Sequence, residues 1–164
     1  MKRNSSGFSA VRFIVFLTLS LAVMTVIFVF SAQDGEQSSA ASGFVSALLK
    51  RMLSPIMPDS ALGFVLKYIR KIAHVSIYFL LGLFTSLSAA ELSRRTGKLP
   101  LCISAAWLVC ALYAVSDEFH QSFTAGREAS FRDVLIDSAG ALISVSIIGI
   151  ISFAKKIIPC DIEC

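Results

Sequence analysis

Residues 13–30 read FIVFLTLSLAVMTVIFVF, a run of about eighteen positions without a single charge. As a helix rising 1.5 Å per residue it spans roughly 27 Å, close to the ~30 Å hydrocarbon core of a bilayer. Three further blocks follow the same rule. Leu99 to Ser116 is uncharged, Ile72 to Ala90 contains only His74, and Val134 to Ala154 contains only Asp137. The 164-residue chain is 55% hydrophobic and 16% charged, too few charges to cover a soluble domain of this size. The apolar residues stand in blocks, not in the periodic stripe of a soluble amphipathic helix. Backbone amides in lipid must be satisfied within their own segment, so each block is expected to be helical. The expected fold is therefore an all-α integral membrane protein, a single domain over residues 1–164. It has four transmembrane helices at about 12–31, 72–90, 99–116 and 134–154, and an interfacial helical segment between the first and second.

Lys2, Arg3 and Arg12 precede the first block, as basic residues precede the apolar core of a signal peptide. The run is longer than such a core, however, and Ser31-Ala32-Gln33 makes a mediocre cleavage site, so the first span is expected to be retained. The net charge of +4 is no nucleic-acid signature: the fifteen Lys and Arg flank the spans, with no basic run and no aromatic platform. Cysteine usage excludes a disulfide framework, because Cys102 and Cys110 lie inside the third span and Cys160 and Cys164 in the tail. The Cys-x-x-x-Cys tail offers metal-ligand types, but only two of the four ligands that a structural site takes, so no metal is expected there.

Successive gaps between spans alternate sides. One side holds Lys2, Arg3, Arg12, a short loop from Glu91 to Lys98, and Lys155 with Lys156; the other holds residues 31–71 and 117–133. The Lys and Arg counts are close, eight against seven, but the basic residues near the first span set the orientation and the short loop agrees with them. Both termini are expected to be cytoplasmic. In the outer segment of about forty residues, Phe44, Val45, Leu48, Leu49 and Met52 fall at helical spacing before Pro55 and Pro58. This pattern suits a helix lying in the interface, a lid over the bundle, with Lys50 and Arg51 reaching to head groups. Asp59 or Ser60 then caps a new helix that runs into the second span.

Ionisable residues inside a span cost about 2.5–3.5 kcal/mol each on insertion scales, so each asks for a partner or a role. Asp137 lies about one turn into the fourth span, on one stripe with Asp133, Gly140 and Ser144 that can pack closely against a neighbour. His74 enters the second span from the same side, with Tyr78 one turn further on. The densest polar run is Ser116-Asp117-Glu118-Phe119-His120-Gln121, in which a helix puts Asp117 beside His120 and Glu118 beside Gln121 on adjacent turns. Gly126 is expected to make the turn, Arg127 to clamp a carboxylate or phosphate, and Arg132-Asp133 to lead into the fourth span.

Several chemistries fit these groups. Glu118, His120 and His74 are the right types for acid–base work in a partly dry site. His74, His120 and a carboxylate are metal-ligand types, but no His-Glu-x-x-His spacing is present, and neither a metal nor a cofactor is expected. Ser116 or Ser122 lacks a nucleophile elbow. The structural alternative is a plug in which Arg127 and Arg132 neutralise Asp117, Asp133 and Asp137 and tie the third and fourth spans together.

At these residues the sequence resembles the VanZ-like family of bacterial membrane proteins. The resemblance rests on Phe30-Ser31-Ala32-Gln33-Asp34-Gly35 with Ser38, on Arg70-Lys71-Ile72-Ala73-His74 with Tyr78, and on Leu81-Gly82. Its strongest part is Ser116-Asp117-Glu118-Phe119-His120-Gln121 with Phe123, Gly126-Arg127, Arg132-Asp133-Val134, Asp137 and Gly140. The family often carries Asn where Asp137 stands, and Asp is a familiar variant there. The resemblance implies a four-span cell-envelope protein, named for a member that lowers susceptibility to the glycopeptide teicoplanin; it implies no mechanism.

The leading expectation is a helical bundle whose outer-face residues His74, Asp117, Glu118, His120, Gln121, Arg127, Asp133 and Asp137 bind an envelope component or the drug. A lipid-linked cell-wall precursor is the obvious envelope ligand, with basic residues meeting phosphate and apolar walls meeting lipid tails. A second reading is a membrane-embedded hydrolase or transferase with Glu118 or His120 as general base. A third is a structural or partner-binding protein whose polar cluster only locks helices.

Overall fold

The computed structural model describes residues 8–33, 35–125 and 129–157, and among these there are five helices and no strand. Four of the helices are long and apolar enough to cross a membrane. The first, α1 (Ala10–Ser31), begins at Ser9, whose side chain accepts the Arg12 N–H at 3.4 Å and so occupies one of the amides left open at a helix start. α2 (Gly35–Leu53) covers the amphipathic stretch before the prolines and stops in a turn ahead of Pro58. α3 (Asp59–Thr96) starts directly after Pro58, with Asp59 in its first turn, and runs through the second span without a break. The residues from Glu91 to Thr96, expected as a loop, are helical instead: Arg94 and Arg95 are good helix formers and suit the negative end of the helix dipole. The turn shrinks to Gly97, at φ 74°, and Lys98. Only a residue without Cβ takes that left-handed cap cheaply.

α4 (Leu99–Gln121) carries Pro100 in its first turn, where a missing N–H costs nothing, and continues through the whole polar run to Gln121. α5 (Phe131–Ile157) is the fourth span. Ion pairs and hydrogen bonds fix how the spans alternate. Arg12, at the start of α1, meets Glu91, near the end of α3. Ser31, at the end of α1, meets His120, near the end of α4, and His74 of α3 meets Asp137, near the start of α5. One end of the bundle thus gathers Arg12, Glu91, Arg94, Lys98 and Lys155, and the other gathers Ser31, His74, Asp117, Glu118, His120 and Asp137.

α3 is the hub, packing against each of the other four helices, with α5 its largest partner. The surface is apolar, with Ile14, Phe28, Leu108, Leu112 and Ile150 all turned outward, while the fully buried side chains include Ser86, Cys110, Asp137 and Ser144. Hydrocarbon outside and small or polar groups inside is the arrangement of helices solvated by lipid tails. Close packing is sharpest between α3 and α5. A Cβ on Gly82 would lie 2.7 Å from the Ala141 carbonyl oxygen, and one on Gly140 would lie 2.7 Å from the Val75 carbonyl oxygen. The small-residue stripe read from Gly140 and Ser144 therefore does bring α5 against a neighbour, and that neighbour is α3.

Candidate functional site

The close approach at Gly140 sets the polar cluster in place. Val75, whose carbonyl Gly140 touches, is the next residue to His74, and Asp137 sits one turn before Gly140. His74 Nδ1 consequently lies 3.4 Å from Asp137 Oδ2, with the carboxylate fully buried and the imidazole about a third exposed. A buried carboxylate in an apolar bundle needs such a partner. One oxygen has it. Asp137 Oδ1 and the Tyr78 hydroxyl, one helical turn from His74, are buried with no hydrogen-bond partner among the described residues. The Tyr78 hydroxyl faces Asp137 and Asp117, and its contact with the Asp117 carboxylate is at most a loose hydrogen bond.

α4 contributes the second half of the cluster. Asp117, Glu118 and Gln121 are all buried at its last turn. Gln121 Nε2 donates to Asp117 Oδ2 at 3.0 Å, an i,i+4 bond along the helix. The expected neighbour of Asp117 was His120, but His120 points towards α1, where its Nδ1 lies 3.4 Å from Ser31 Oγ and its ring packs on Phe28 with centroids 4.8 Å apart. A step of three residues falls short of a full turn, and here the shortfall swings the imidazole onto the adjoining helix. Glu118 Oε2 accepts the Ser130 N–H at 2.9 Å, just ahead of α5, so this carboxylate fastens the entry of the fourth span to the end of the third.

Asp133 pairs with Lys71 at 3.8 Å, both side chains well exposed, a geometry that contributes little. Arg132 is exposed and has no ion-pair partner among the described residues, so the described acids are held by His74, Gln121, the Ser130 amide and Lys71. Gly126 and Arg127 lie outside the described residues. The structure thus brings His74, Asp117, Glu118, Gln121 and Asp137 together from three helices, leaves Asp133 at the rim, and sends His120 to a separate contact. Among the described residues no group of three or more His, Cys, Asp or Glu is placed to hold a metal ion.

Two contributors escaped the sequence reading. Ser31 stood in a poor cleavage site and in a family motif but not among the candidate site residues, although a hydroxyl directly after the last apolar residue of a span was a usable signal. Glu91, counted among loop charges, is buried at the opposite end: its Oε1 accepts the Ser9 N–H at 2.6 Å and meets Arg12 at 3.1 Å, while Oε2 lies 3.4 Å from Arg94.

Chemically, the described cluster is rich in acceptors. Carboxylates at the ends of two spans, with a phenol and an imidazole between them, suit hydroxyl, amide or ammonium donors better than phosphate. No curated protein and no solved structure matches the chain. A family model does: the one described as VanZ/LLP1 matches residues 16–152, a stretch that takes in every residue of the polar cluster. With most of its length and all four of its apolar helices represented in that match, the chain belongs to the VanZ/LLP1 family.

Proposed function

We propose that this VanZ-like protein sits in the bacterial cell membrane with both termini cytoplasmic, and that its outer-face cluster binds an amphiphilic envelope component or a glycopeptide drug. One observation carries the reading. Asp137 Oδ1 is buried at the meeting of three helices without a hydrogen-bond partner among the described residues, and the Tyr78 hydroxyl beside it has no more than a loose contact with the Asp117 carboxylate. A cluster built only to lock helices has every reason to satisfy such atoms, since each costs about 1–3 kcal/mol when left unpaired. Lipid-linked cell-wall precursors and teicoplanin-type glycopeptides both present hydroxyl and amide donors beside an apolar chain, and the apolar flanks of the spans suit that chain.

The acid–base reading gains less support. Glu118 is engaged by the Ser130 amide and His120 by Ser31 and Phe28, which are positioning contacts. The test is teicoplanin susceptibility of a Gram-positive host expressing wild type, Glu118→Gln, Arg127→Ala or Tyr78→Phe, with membrane abundance measured in parallel. Protection by wild type that Tyr78→Phe or Arg127→Ala loses at normal abundance supports a binding site. Loss confined to Glu118→Gln favours catalysis. No protection from well-expressed wild type removes the antibiotic role and leaves the envelope ligand to be sought directly.

A further inference from the structure

The opposite end of the bundle holds a second feature, separate from the polar cluster. Where the last turn of α3, the first turn of α4 and the last turns of α5 meet, a cleft opens that is lined by Ser93, Arg94, Gly97, Leu99, Ser152 and Lys155. Gly97 brings no side chain to its rim. These residues stand at the ends of the three spans Lys71–Thr96, Leu99–Gln121 and Phe131–Lys155, which is the depth of the lipid head groups. Just inside that depth, Leu101 and Ile151 are exposed apolar side chains on the helices that form the cleft.

The charge at this end is lopsided. Arg94 and Lys155 line the cleft, with Arg95 and Lys98 exposed on the same end. The one carboxylate here among the described residues is Glu91, which is buried and already holds the Ser9 amide and Arg12. Arg94 meets Glu91 through Nε at 3.4 Å, which leaves the Nη edge of its guanidinium for a second oxygen pair. Lys155 is exposed and has no ion-pair partner among the described residues. Two cations and a serine hydroxyl at head-group depth, above apolar flanks, form the chemistry of a lipid phosphate site.

We propose that this cleft binds the phosphate head group of an anionic phospholipid, with Arg94 and Lys155 as the recognising cations and the acyl chains lying along α4 and α5. The site lies at the opposite end of the bundle from the polar cluster.

The test uses the purified full chain in mild detergent, with native mass spectrometry counting retained phosphatidylglycerol against phosphatidylcholine and with inorganic phosphate as a separate addition. Wild type should retain phosphatidylglycerol preferentially. Lys155→Ala and Arg94→Gln should each weaken that preference about fivefold, and Lys98→Ala, outside the cleft, should leave it unchanged. Lys155→Ala is the deciding variant, because among the described residues Lys155 has no ion-pair partner whose loss would disturb folding. Equal retention of the two lipids, or a Lys155→Ala protein that behaves as wild type, overturns the proposal. Displacement of phosphatidylglycerol by millimolar inorganic phosphate, with stabilisation by phosphate alone, overturns the lipid assignment in favour of a soluble phosphate ligand.

Discussion

His74 Nδ1 and Asp137 Oδ2 stand 3.4 Å apart across the α3–α5 seam, joining residues 63 positions apart in the chain. The carboxylate is fully buried and the imidazole is its one partner among the described residues. Removing the imidazole should therefore strand a charge in an apolar bundle, whereas removing the charge should not. His74→Ala is expected to lower stability by about 2–3 kcal/mol, towards the low end for a broken buried pair because His74 is partly exposed. Asp137→Asn should cost less, and the double variant His74→Ala/Asp137→Asn should recover much of the loss. Unfolding of the purified protein in mixed micelles reads all three. Additive losses in the double variant would show that the two groups are not coupled.

The glycines divide into two classes by what their faces touch. Gly82 and Gly140 meet carbonyl oxygens of the opposing helix at 2.7 Å from a built Cβ, and backbone cannot swing aside as a side chain can. Gly82→Ala and Gly140→Ala should each force α3 and α5 apart and cost about 2 kcal/mol or more. Gly43 and Gly63 have nothing within 4 Å of a built Cβ and sit inside helices. Alanine there should stabilise by about 0.5–1 kcal/mol through helix propensity alone. Four single variants in one unfolding assay check the division, and a neutral Gly140→Ala would contradict the close crossing.

The spans were legible because hydrocarbon thickness imposes a length that uncharged blocks display directly. The start of α3 after Pro58 and the amphipathic α2 were legible for a similarly local reason, proline and helical spacing. The pairing of polar groups was not. Asp117 and His120 are close in sequence, yet the helix turns His120 towards Ser31, and Asp117 bonds to Gln121 one residue further on. His74 finds Asp137 because Gly82 and Gly140 set the crossing of two helices, a geometry that exists only once both are packed. Glu91 read as a loop charge because the charged residues after Ala90 end the apolar block, although nothing before Gly97 stops the helix.

Glu91 anchors the start of α1 to the end of α3 through the Ser9 amide and Arg12. Replacing it by Ala removes the acceptor for a backbone N–H and the anion between two arginines, a loss of about 1–3 kcal/mol. The local consequence should be fraying of the first turns of α1. Trypsin cleavage after Arg12 in the purified protein should accelerate severalfold in Glu91→Ala and less in Glu91→Gln, which keeps an acceptor. Unchanged cleavage in both variants would mean that α1 is held at this end by other contacts.

Orientation can be read from two exposed positions on opposite ends of the bundle. Ser122 follows the last residue of α4, and Lys98 precedes its first. In a background with Cys102, Cys110, Cys160 and Cys164 replaced, a cysteine introduced by Ser122→Cys should react in intact cells with an impermeant maleimide. One introduced by Lys98→Cys should react only after the membrane is opened. Electrostatics sets this expected outcome: Arg12, Arg94, Arg95, Lys98 and Lys155 gather at one end, and basic residues close to a first span are retained on the cytoplasmic side. Both positions are exposed, so a failure to label reflects the side of the membrane and not burial. Labelling of Lys98→Cys but not Ser122→Cys in intact cells would invert the protein, place the polar cluster in the cytoplasm, and remove glycopeptides and outer-leaflet precursors as its ligands.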